Sequence, residues 1–137
     1  MKVREIMTTN VECVSPETSA LDLAHKMKTL DVGFLAICEN DRLAGTVTDR
    51  DIVIRGIASG RDIDTITARD IMTHDVFWCY EDDELKHVAD KMRKKEVRRM
   101  LILNHDKRLV GVASLGDLSK VEQEESGKTL RDISKAA

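Results

Sequence analysis

The hydrophobic residues of this chain follow a helical spacing in two separate stretches. The two sets are Ala20, Leu23, Ala24, Met27 and Leu30 in the first half and Leu85, Val88, Ala89 and Met92 in the second. Such spacing predicts two amphipathic helices, each with one apolar face. Short apolar runs bounded by polar residues predict strands at 11–14, 32–38 and 43–48, and again at 76–79, 97–103 and 109–114.

The order of residues repeats when the chain is placed over itself with a shift of 65 residues. The shift aligns the segment from Arg4 to Thr8 with the segment from Arg69 to Thr73. One additional residue in the second half raises the shift to 66, which then aligns Asp51 with Asp117. Identities that keep their order and need a single one-residue gap indicate an internal duplication.

Each copy has the predicted order β-α-β-β-α, because a further helix begins near Asp51 and near Asp117. We predict a first unit at 1–62, a second unit at 63–122 and a C-terminal extension at 123–137. A unit of about 60 residues buries little of its surface when it stands alone. The sequence therefore predicts one α/β module in which the two copies pack as a pseudo-two-fold pair.

The composition excludes several classes of function. Hydrophobic residues make up 42% of the chain and charged residues 34%, which is typical of a globular protein. Aromatic residues make up only 3% and the net charge is −3, and both values argue against a nucleic-acid partner. No apolar run is long enough for a membrane span or a signal peptide, so we expect no membrane partner and a cytoplasmic location.

The residue types that carry chemistry form no catalytic or metal-binding pattern. The three cysteines, Cys13, Cys38 and Cys79, show no CxxC spacing, and we interpret them as small buried hydrophobic residues rather than as a disulfide or zinc framework. The four histidines are scattered, and neither a GxSxG motif nor a phosphate-binding glycine loop is present. We therefore predict a protein that is not an enzyme and has no catalytic cofactor and no metal.

A hydroxyl and a carboxylate recur three residues apart where a strand is followed by a helix. The pairs are Thr48 with Asp51 and Ser114 with Asp117. A helix N-terminus offers N–H groups to a phosphate, and a carboxylate can accept hydrogen bonds from ribose hydroxyls. The same spacing is also common in ordinary helix caps. The repetition in both copies leaves a ribose-phosphate site and a simple cap as two open interpretations.

The pattern Gly-hydrophobic-x-Thr/Ser-x-x-Asp, inside a β-α-β-β-α duplication, resembles the CBS-domain family. It reads Gly45-Thr46-Val47-Thr48-Asp49-Arg50-Asp51 in the first copy and returns at 111–117. The resemblance covers roughly residues 3–121, and the run from Thr48 to Gly56 is similar to stand-alone bacterial CBS pairs of the hypoxic-response type. It implies the paired arrangement called a Bateman module, with ligand clefts at the interface between the two domains.

The resemblance implies two sets of nucleotide-binding residues. The first cleft would contain Thr46, Thr48, Asp51, Arg69, His74, Val97, Arg98 and Arg99. The second cleft would contain Arg4, Thr9, Val32, Gly33, Phe34, Val112, Ser114 and Asp117. In this assignment Asp51 holds the ribose hydroxyls, Thr48 contacts the sugar or phosphate, and Val97 packs on the base.

The two predicted clefts differ in charge. Arg98 and Arg99 follow Val97 in the second copy, whereas Gly33 and Phe34 occupy the corresponding positions in the first. Because guanidinium groups bind phosphate strongly and directionally, we expect a phosphate-bearing ligand to prefer the first cleft. The alternative is that both arginines are solvated charges at the edge of a strand.

These observations lead to two hypotheses from different classes. The first is a regulatory sensor that binds an adenosine-containing nucleotide, with AMP as the leading candidate and ATP, ADP, NAD and S-adenosylmethionine as alternatives. Binding would shift the arrangement of the two copies and signal to a regulated protein partner. The second is a ligand-free protein-interaction or dimerisation module with vestigial clefts. In both cases the resemblance implies a homodimer that forms through the exposed faces of the second helices.

Overall fold

The strands and helices alternate in the predicted order. The computed structural model describes residues 1–121, and the predicted extension at 123–137 lies outside them. Within this range the strands are β1 (Cys13–Val14), β2 (Phe34–Glu39), β3 (Arg42–Thr48), β4 (Trp78–Tyr80), β5 (Arg99–Leu103) and β6 (Leu109–Ser114). The helices are α1 (Ala20–Leu30), α2 (Asp49–Asp51), α3 (Ala68–Ile71) and α4 (Leu85–Lys95), and residues 115–121 are also helical. The predicted α/β fold is confirmed.

Two three-stranded sheets have the same topology. Their strand orders are β1-β2-β3 and β4-β5-β6. In the first sheet β1 is parallel to β2, and β2 is antiparallel to β3. In the second sheet β4 is likewise parallel to β5. The duplication in the sequence is therefore also a duplication of sheet topology.

Local signals in the sequence account for the ends of several helices. The Ser19 hydroxyl accepts a hydrogen bond from the Asp22 N–H at 3.1 Å and thus caps α1. After α2 the chain continues as a π-helix over Ile52–Gly56 and a 3₁₀ turn over Ile57–Ser59, and Gly60 ends this segment with a φ of 79°. Among residues 1–121, none of the helices is both long and apolar enough to cross a lipid bilayer.

The described residues divide into two compact units, and neither is continuous in sequence. The first-sheet unit contains Asn10–Phe77 with His105–Leu109. The second-sheet unit contains Met1–Thr9, Trp78–Asn104 and the residues from Val110 onward. The opening segment of each copy, residues 4–8 in the first and 69–73 in the second, therefore belongs to the unit that holds the sheet of the other copy. The sequential boundaries at 62 and 122 stay a prediction about the repeats.

Each opening segment is hydrogen-bonded to the last strand of the sheet in its unit. The Thr46 N–H donates to the Thr73 carbonyl at 3.0 Å, and the Thr73 N–H donates to the Thr46 carbonyl at 2.8 Å. In the second-sheet unit, Thr8 and Val112 exchange the same two bonds at 2.9 and 3.0 Å. These bonds extend β3 and β6 by one further pairing partner and so cover a sheet edge.

The core of the first-sheet unit lies between its sheet and the helical elements of the same unit. Its buried residues are Val14, Ala20, Leu23, Met27, Leu35, Ile37, Val47, Ile52, Ile66, Ala68, Ile71 and Met72. Most of them come from the apolar positions that predicted the helices and strands. One residue of the predicted apolar face of α1, Leu30, is not part of this core, because its position at the end of the helix leaves it 46% exposed.

The prediction that the cysteines are isolated buried residues is wrong for two of the three. Cys13 and Cys38 form a disulfide, whereas Cys79 is a buried free thiol. The two bonded residues are 25 positions apart, but β1 and β2 are parallel neighbours and bring their Cα atoms to 5.4 Å. This distance suits a disulfide. Spacing along the sequence did not reveal a pairing that only the sheet creates.

We predict that Gly45→Ala destabilises the fold, because the opening segment of the second copy passes very close to β3. A Cβ atom at Gly45 would lie 2.6 Å from the Thr73 carbonyl oxygen. Such overpacking costs about 1–3 kcal/mol in a close-packed interior. The free energy of unfolding from urea titrations measures the loss.

Gly56→Ala is the matched control for this prediction. A Cβ atom at Gly56 meets nothing within 4 Å, and its backbone is right-handed and helical. Replacing glycine at such a position stabilises a protein by about 0.4–1 kcal/mol. Equal losses of stability in the two variants would contradict the close approach at Gly45.

Candidate nucleotide-binding site

Thr48 and Asp51 form a reciprocal capping box at the end of β3. The Thr48 hydroxyl accepts a hydrogen bond from the Asp51 N–H at 3.1 Å, and Asp51 Oδ2 accepts one from the Thr48 N–H at 2.9 Å. Ser114 and Asp117 repeat the arrangement at 3.1 and 3.0 Å at the end of β6. The capping interpretation of these pairs is therefore correct.

A third box of the same kind occurs where no ligand is predicted. Asp70 Oδ2 accepts a hydrogen bond from the Thr67 N–H at 3.0 Å at the start of α3. This hydrogen bond is the main reason why the pKa of Asp70 is lowered, and Arg61 lowers the pKa further. Since the box also occurs without a predicted ligand, the box alone is not evidence for a binding site.

The start of the helical segment after β3 does not offer its N–H groups to a phosphate. The Asp49 N–H donates to the Gly33 carbonyl at 2.9 Å, and the Arg50 N–H donates to Asp49 Oδ1 at 2.8 Å. The third N–H, that of Asp51, already donates to Thr48. Because the protein satisfies these donors itself, the geometry does not support a phosphate cradle at this helix start.

The Asp51 carboxylate keeps acceptor capacity for a ligand. Its Oδ2 atom belongs to the box, whereas Oδ1 lies 4.0 Å from Arg55 Nε, which is too long for a hydrogen bond. A carboxylate accepts up to about four hydrogen bonds, so one oxygen can hold the cap while the other accepts from a hydroxyl. The side chain is 14% exposed, and the carboxylate is therefore partly sheltered from water.

Arg55 lies beside Asp51, and the sequence patterns did not assign it to the site. Its Nη1 atom donates to the carbonyls of Ile71 and Met72 at 3.4 and 3.3 Å. These two carbonyls are at the end of α3, where carbonyls lack helical donors. Arg55 therefore connects the π-helical turn to the opening segment of the second copy. The sequence could have indicated this neighbour, because Arg55 comes four residues after Asp51 and side chains at that spacing lie on the same face of a helix.

Five residues of the first predicted cleft belong to the first-sheet unit. They are Thr46, Thr48, Asp51, Arg69 and His74. The hydrogen bonds between Thr46 and Thr73 bring β3 together with the segment that contains Arg69 and His74. His74 itself is exposed.

The guanidinium of Arg69 is hydrogen-bonded to two carboxylates on the surface. Its guanidinium donates to Glu17 at 2.8 and 3.1 Å and to Glu39 at 2.8 Å. The hydrogen bonds from Arg69 to Glu39 and Glu17, in that order of importance, raise the pKa of the guanidinium further above its ordinary value. A phosphate would have to replace one of these carboxylates, and the contacts thus favour a structural role for Arg69.

The remaining residues of the first predicted cleft are Val97, Arg98 and Arg99, which belong to the second-sheet unit. Both arginines are exposed, and Val97 is partly buried. Val97 and Arg98 also line a groove of about 320 Å³ together with Leu115 and Leu118. The assignment of these three residues to the same ligand as Asp51 stays a prediction.

The second predicted set is divided in the same way. Arg4, Thr9, Val112, Ser114 and Asp117 belong to the second-sheet unit, in which the Thr8–Val112 bonds join the opening segment to β6. The other three residues, Val32, Gly33 and Phe34, belong to the first-sheet unit.

The residue Asp49 makes the surroundings of Gly33 anionic. A Cβ atom on Gly33 would lie 3.1 Å from Asp49 Oδ2, so the carboxylate lies directly over this glycine. In the second copy, the Arg98 carbonyl accepts the corresponding bond from the Leu115 N–H at 2.8 Å. Gly33 thus has no side chain of its own and lies against a carboxylate, whereas position 98 carries a cationic arginine. The predicted difference in charge between the copies is larger than the arginines alone suggested.

No metal centre is formed by the side chains of residues 1–121. Within this range no group of three or more His, Cys, Asp or Glu side chains is arranged to hold a metal ion. Burial raises the pKa of the Cys79 thiol, and a nearby lysine, Lys91, opposes the shift. A buried thiol with a raised pKa is a poor nucleophile.

The fold and the two repeated boxes define a pair of CBS domains. The sequence profile of the CBS domain matches residues 3–58 and again residues 68–124. The chain therefore belongs to the CBS-domain family, and the resemblance seen in the sequence is confirmed. CBS pairs are regulatory modules, and some of their structures hold adenosine compounds.

Individual proteins that resemble this chain include hypoxic response protein 1 of Mycobacterium tuberculosis. The two sequences are 34% identical over 118 residues, which is 85% of this chain and 82% of that protein. A crystal structure of hypoxic response protein I with two coordinated zinc ions has a TM-score of 0.78 at 33% identity, and the match covers 88% of this chain and 98% of that one.

Two more distant structures share the fold. The CBS domain pair of protein MJ0100, in complex with 5′-methylthioadenosine and S-adenosylmethionine, has a TM-score of 0.78 at 24% identity and covers 91% of this chain and 98% of that one. CBSX2 in complex with AMP has a TM-score of 0.77 at 21% identity, again with 91% and 98% coverage. At these identities the likeness shows the fold alone.

We predict that Asp70→Asn removes a stabilisation that depends on pH. The pKa of Asp70 is lower in the folded state than its ordinary value of 3.8. The charged form therefore stabilises the fold fully above about pH 5, and this contribution is lost as the pH falls through the folded pKa. Urea titrations of both proteins across this range measure the difference.

The difference in unfolding free energy between wild type and Asp70→Asn should be constant near neutral pH and shrink below about pH 4. A difference that instead grows on acidification would contradict the direction of the shift.

Proposed function

We propose that this CBS pair is a regulatory sensor that binds an adenosine-containing nucleotide. AMP is the leading candidate, and ATP, ADP, NAD and S-adenosylmethionine are the alternatives. The observation that carries the proposal is the sheltered Asp51 carboxylate, which follows β3 in a Thr-x-x-Asp box that the second copy repeats. Related pairs with AMP or with S-adenosylmethionine support the choice of ligand class.

In this proposal Asp51 recognises the ribose. Its Oδ1 atom accepts hydrogen bonds from the two adjacent hydroxyls, while Oδ2 remains in the box. The Thr48 hydroxyl accepts from the Asp51 N–H and can donate its own hydrogen to a sugar or phosphate oxygen. Thr46, on the same strand as Thr48, provides a further contact to the ligand. The nucleotide is bound without being converted, so the protein is a sensor and not an enzyme.

The phosphate requires cationic side chains, because the helix start has no N–H groups to offer. Asp49 and Asp51 add negative charge there, which disfavours a phosphate close to them. Arg98 and Arg99 are the exposed cations that the sequence assigns to this task. Their role, the occupancy of the second set of residues and the cytoplasmic location all stay predictions.

We predict that Asp51→Asn weakens nucleotide binding by more than about tenfold, because a hydrogen bond to a charged group contributes about 1.5–3 kcal/mol. Isothermal titration calorimetry with AMP, ADP, ATP, NAD and S-adenosylmethionine measures the affinity, on protein freed of carried-over nucleotide. Ligand at one hundred times its dissociation constant should also stabilise the native state by about 2.7 kcal/mol.

Asp70→Asn is the matched control, since it alters the same kind of box in the same unit without touching a predicted ligand residue. It should bind nucleotide as tightly as wild type. Arg98→Ala and Arg99→Ala should weaken AMP but leave adenosine unchanged. If none of the five compounds binds, the sensor proposal is wrong and the interaction module becomes the better explanation.

A dimerisation role is supported by a separate observation on the helical segment after β3. Val53, Ile54 and Ile57 are 52%, 52% and 56% exposed, although they are large and apolar. Exposed apolar residues clustered on one segment are typical of surfaces that bind protein. We therefore include a homodimer through this segment in the proposal.

Ile54→Glu is expected to convert the dimer to a monomer, because a charge would be buried without a partner at the contact. Sedimentation velocity over a range of protein concentrations measures the change. Leu30→Glu, at an exposed apolar residue on α1, should leave the dimer intact. A wild-type protein that sediments as a monomer at all concentrations would exclude the dimer.

A further inference from the structure

The disulfide between Cys13 and Cys38 occupies a reachable position at the edge of the first sheet. Cys13 is exposed, and Cys38 is partly buried. Cys13 lies on β1, which is only two residues long and pairs with β2 through the register Cys13–Ala36 and Val14–Ile37. So short a strand contributes few ladder hydrogen bonds, and the covalent bond to β2 adds to the buried contacts of Val14 in holding it.

The strand register connects the disulfide to the candidate site. Cys13 pairs with Ala36, Ala36 pairs with Thr46, and Thr46 exchanges two hydrogen bonds with Thr73. These four residues form one row across the first-sheet unit. The irregularity in the β2–β3 register lies between Ile37 and Cys38, next to the second sulfur. A change in how β1 is held therefore acts on β2, and β2 pairs on its other side with β3, which contains Thr46.

The second copy contains no such bond. The shift of 65 residues that aligns the repeats places Trp78 opposite Cys13 and Leu103 opposite Cys38. Cys79, the remaining cysteine, is buried and one position further along. The covalent bond is thus a property of the first-sheet unit, and the second-sheet unit is an internal reference for the same topology without it.

We propose that Cys13 and Cys38 form a reversible thiol–disulfide site that a dithiol reductant opens, and that its state controls the stability of the row from Cys13 to Thr73. A thiolate of the reductant attacks the exposed Cys13 sulfur, the bond between the two sulfurs breaks, and Cys38 leaves as a thiolate. The second thiol of the reductant then releases Cys13 by forming its own disulfide. In total two electrons and two protons pass from the reductant to the protein.

This inference does not depend on nucleotide binding, because the row can be followed by its own hydrogen bonds. The closed disulfide limits the freedom of the unfolded chain between residues 13 and 38, a segment that contains α1. It also keeps β1 on β2 in the native state. Reduction should therefore loosen the row first and lower the stability of the unit that contains it.

The first measurement counts thiols and follows their exchange. Protein purified without reductant and then denatured should react with Ellman's reagent at one thiol per chain, that of Cys79, whereas protein reduced with dithiothreitol should react at three. Reoxidation of the folded protein should return the count to one. Three thiols before reduction, or a disulfide that dithiothreitol cannot open in the folded protein, would overturn the proposal.

The second measurement compares amide hydrogen exchange in the oxidised and reduced proteins. The Thr46 and Thr73 amides should exchange at least about tenfold faster after reduction, because the bond that secures the row is gone. The Thr8 and Val112 amides make the same pair of bonds in the second-sheet unit and should keep their rates. Equal exchange at Thr46 and Thr73 in both states would exclude control of the row.

Two variants separate the disulfide from other effects of the cysteines. Cys13→Ser changes an exposed position and should lower the melting temperature by about 10 °C under oxidising conditions but not after reduction. Cys79→Ala keeps the disulfide, and any effect should be equal in both conditions. A disulfide-linked pair of chains on a non-reducing gel would instead show that the bond forms between molecules, and the proposal of a bond within the chain would fail.

Discussion

The mutual hydrogen bonds between Thr46 and Thr73 are the interaction on which the first-sheet unit depends. They attach the opening segment of the second copy to β3, which otherwise ends the sheet with unpaired backbone groups. The attachment brings Ile71 and Met72 into the core. It also explains why a glycine precedes the Thr-x-x-Asp box, because a Cβ at Gly45 would collide with the Thr73 carbonyl. A residue that appeared to belong to a ligand motif is thus required first for packing.

The local elements could be predicted from the sequence because their signals are local. The spacing of Leu23 and Met27 marks the apolar face of α1, and Ser19 marks its start. The pairing of Thr46 with Thr73 and the bond between Cys13 and Cys38 could not be predicted, since both depend on which strands become neighbours. Arg69 shows the same limit in the site. Its role followed from a family pattern, whereas its contacts with Glu17 and Glu39 exist only in the folded chain.

The capping box sets what the candidate site can do. Its hydrogen bonds use the Asp51 N–H and one oxygen of the carboxylate, and the two preceding N–H groups are used by Gly33 and Asp49. The helix start is therefore an acceptor site rather than a donor site, which suits the hydroxyls of a sugar and not a phosphate. The box at Thr67 and Asp70 forms without a preceding strand; there too the threonine N–H donates to the carboxylate, whereas the Asp70 N–H donates to the Thr67 carbonyl. What distinguishes Asp51 is its place at the end of β3, and not the box itself.

The two copies share the box, so a difference in ligand preference must come from residues outside it. Position 33 is a glycine covered by the Asp49 carboxylate, and the aligned positions in the second copy are Arg98 and Leu115. The backbone hydrogen bond that joins each pair is the same in both copies, at 2.9 and 2.8 Å. The duplication has therefore kept the geometry and reversed the charge, from an anion near position 33 to a cation at position 98. A phosphate is attracted to the cation and repelled by the anion. In our proposal, therefore, the charge at these aligned positions, and not the Thr/Ser-x-x-Asp motif, sets the preference for a phosphorylated ligand.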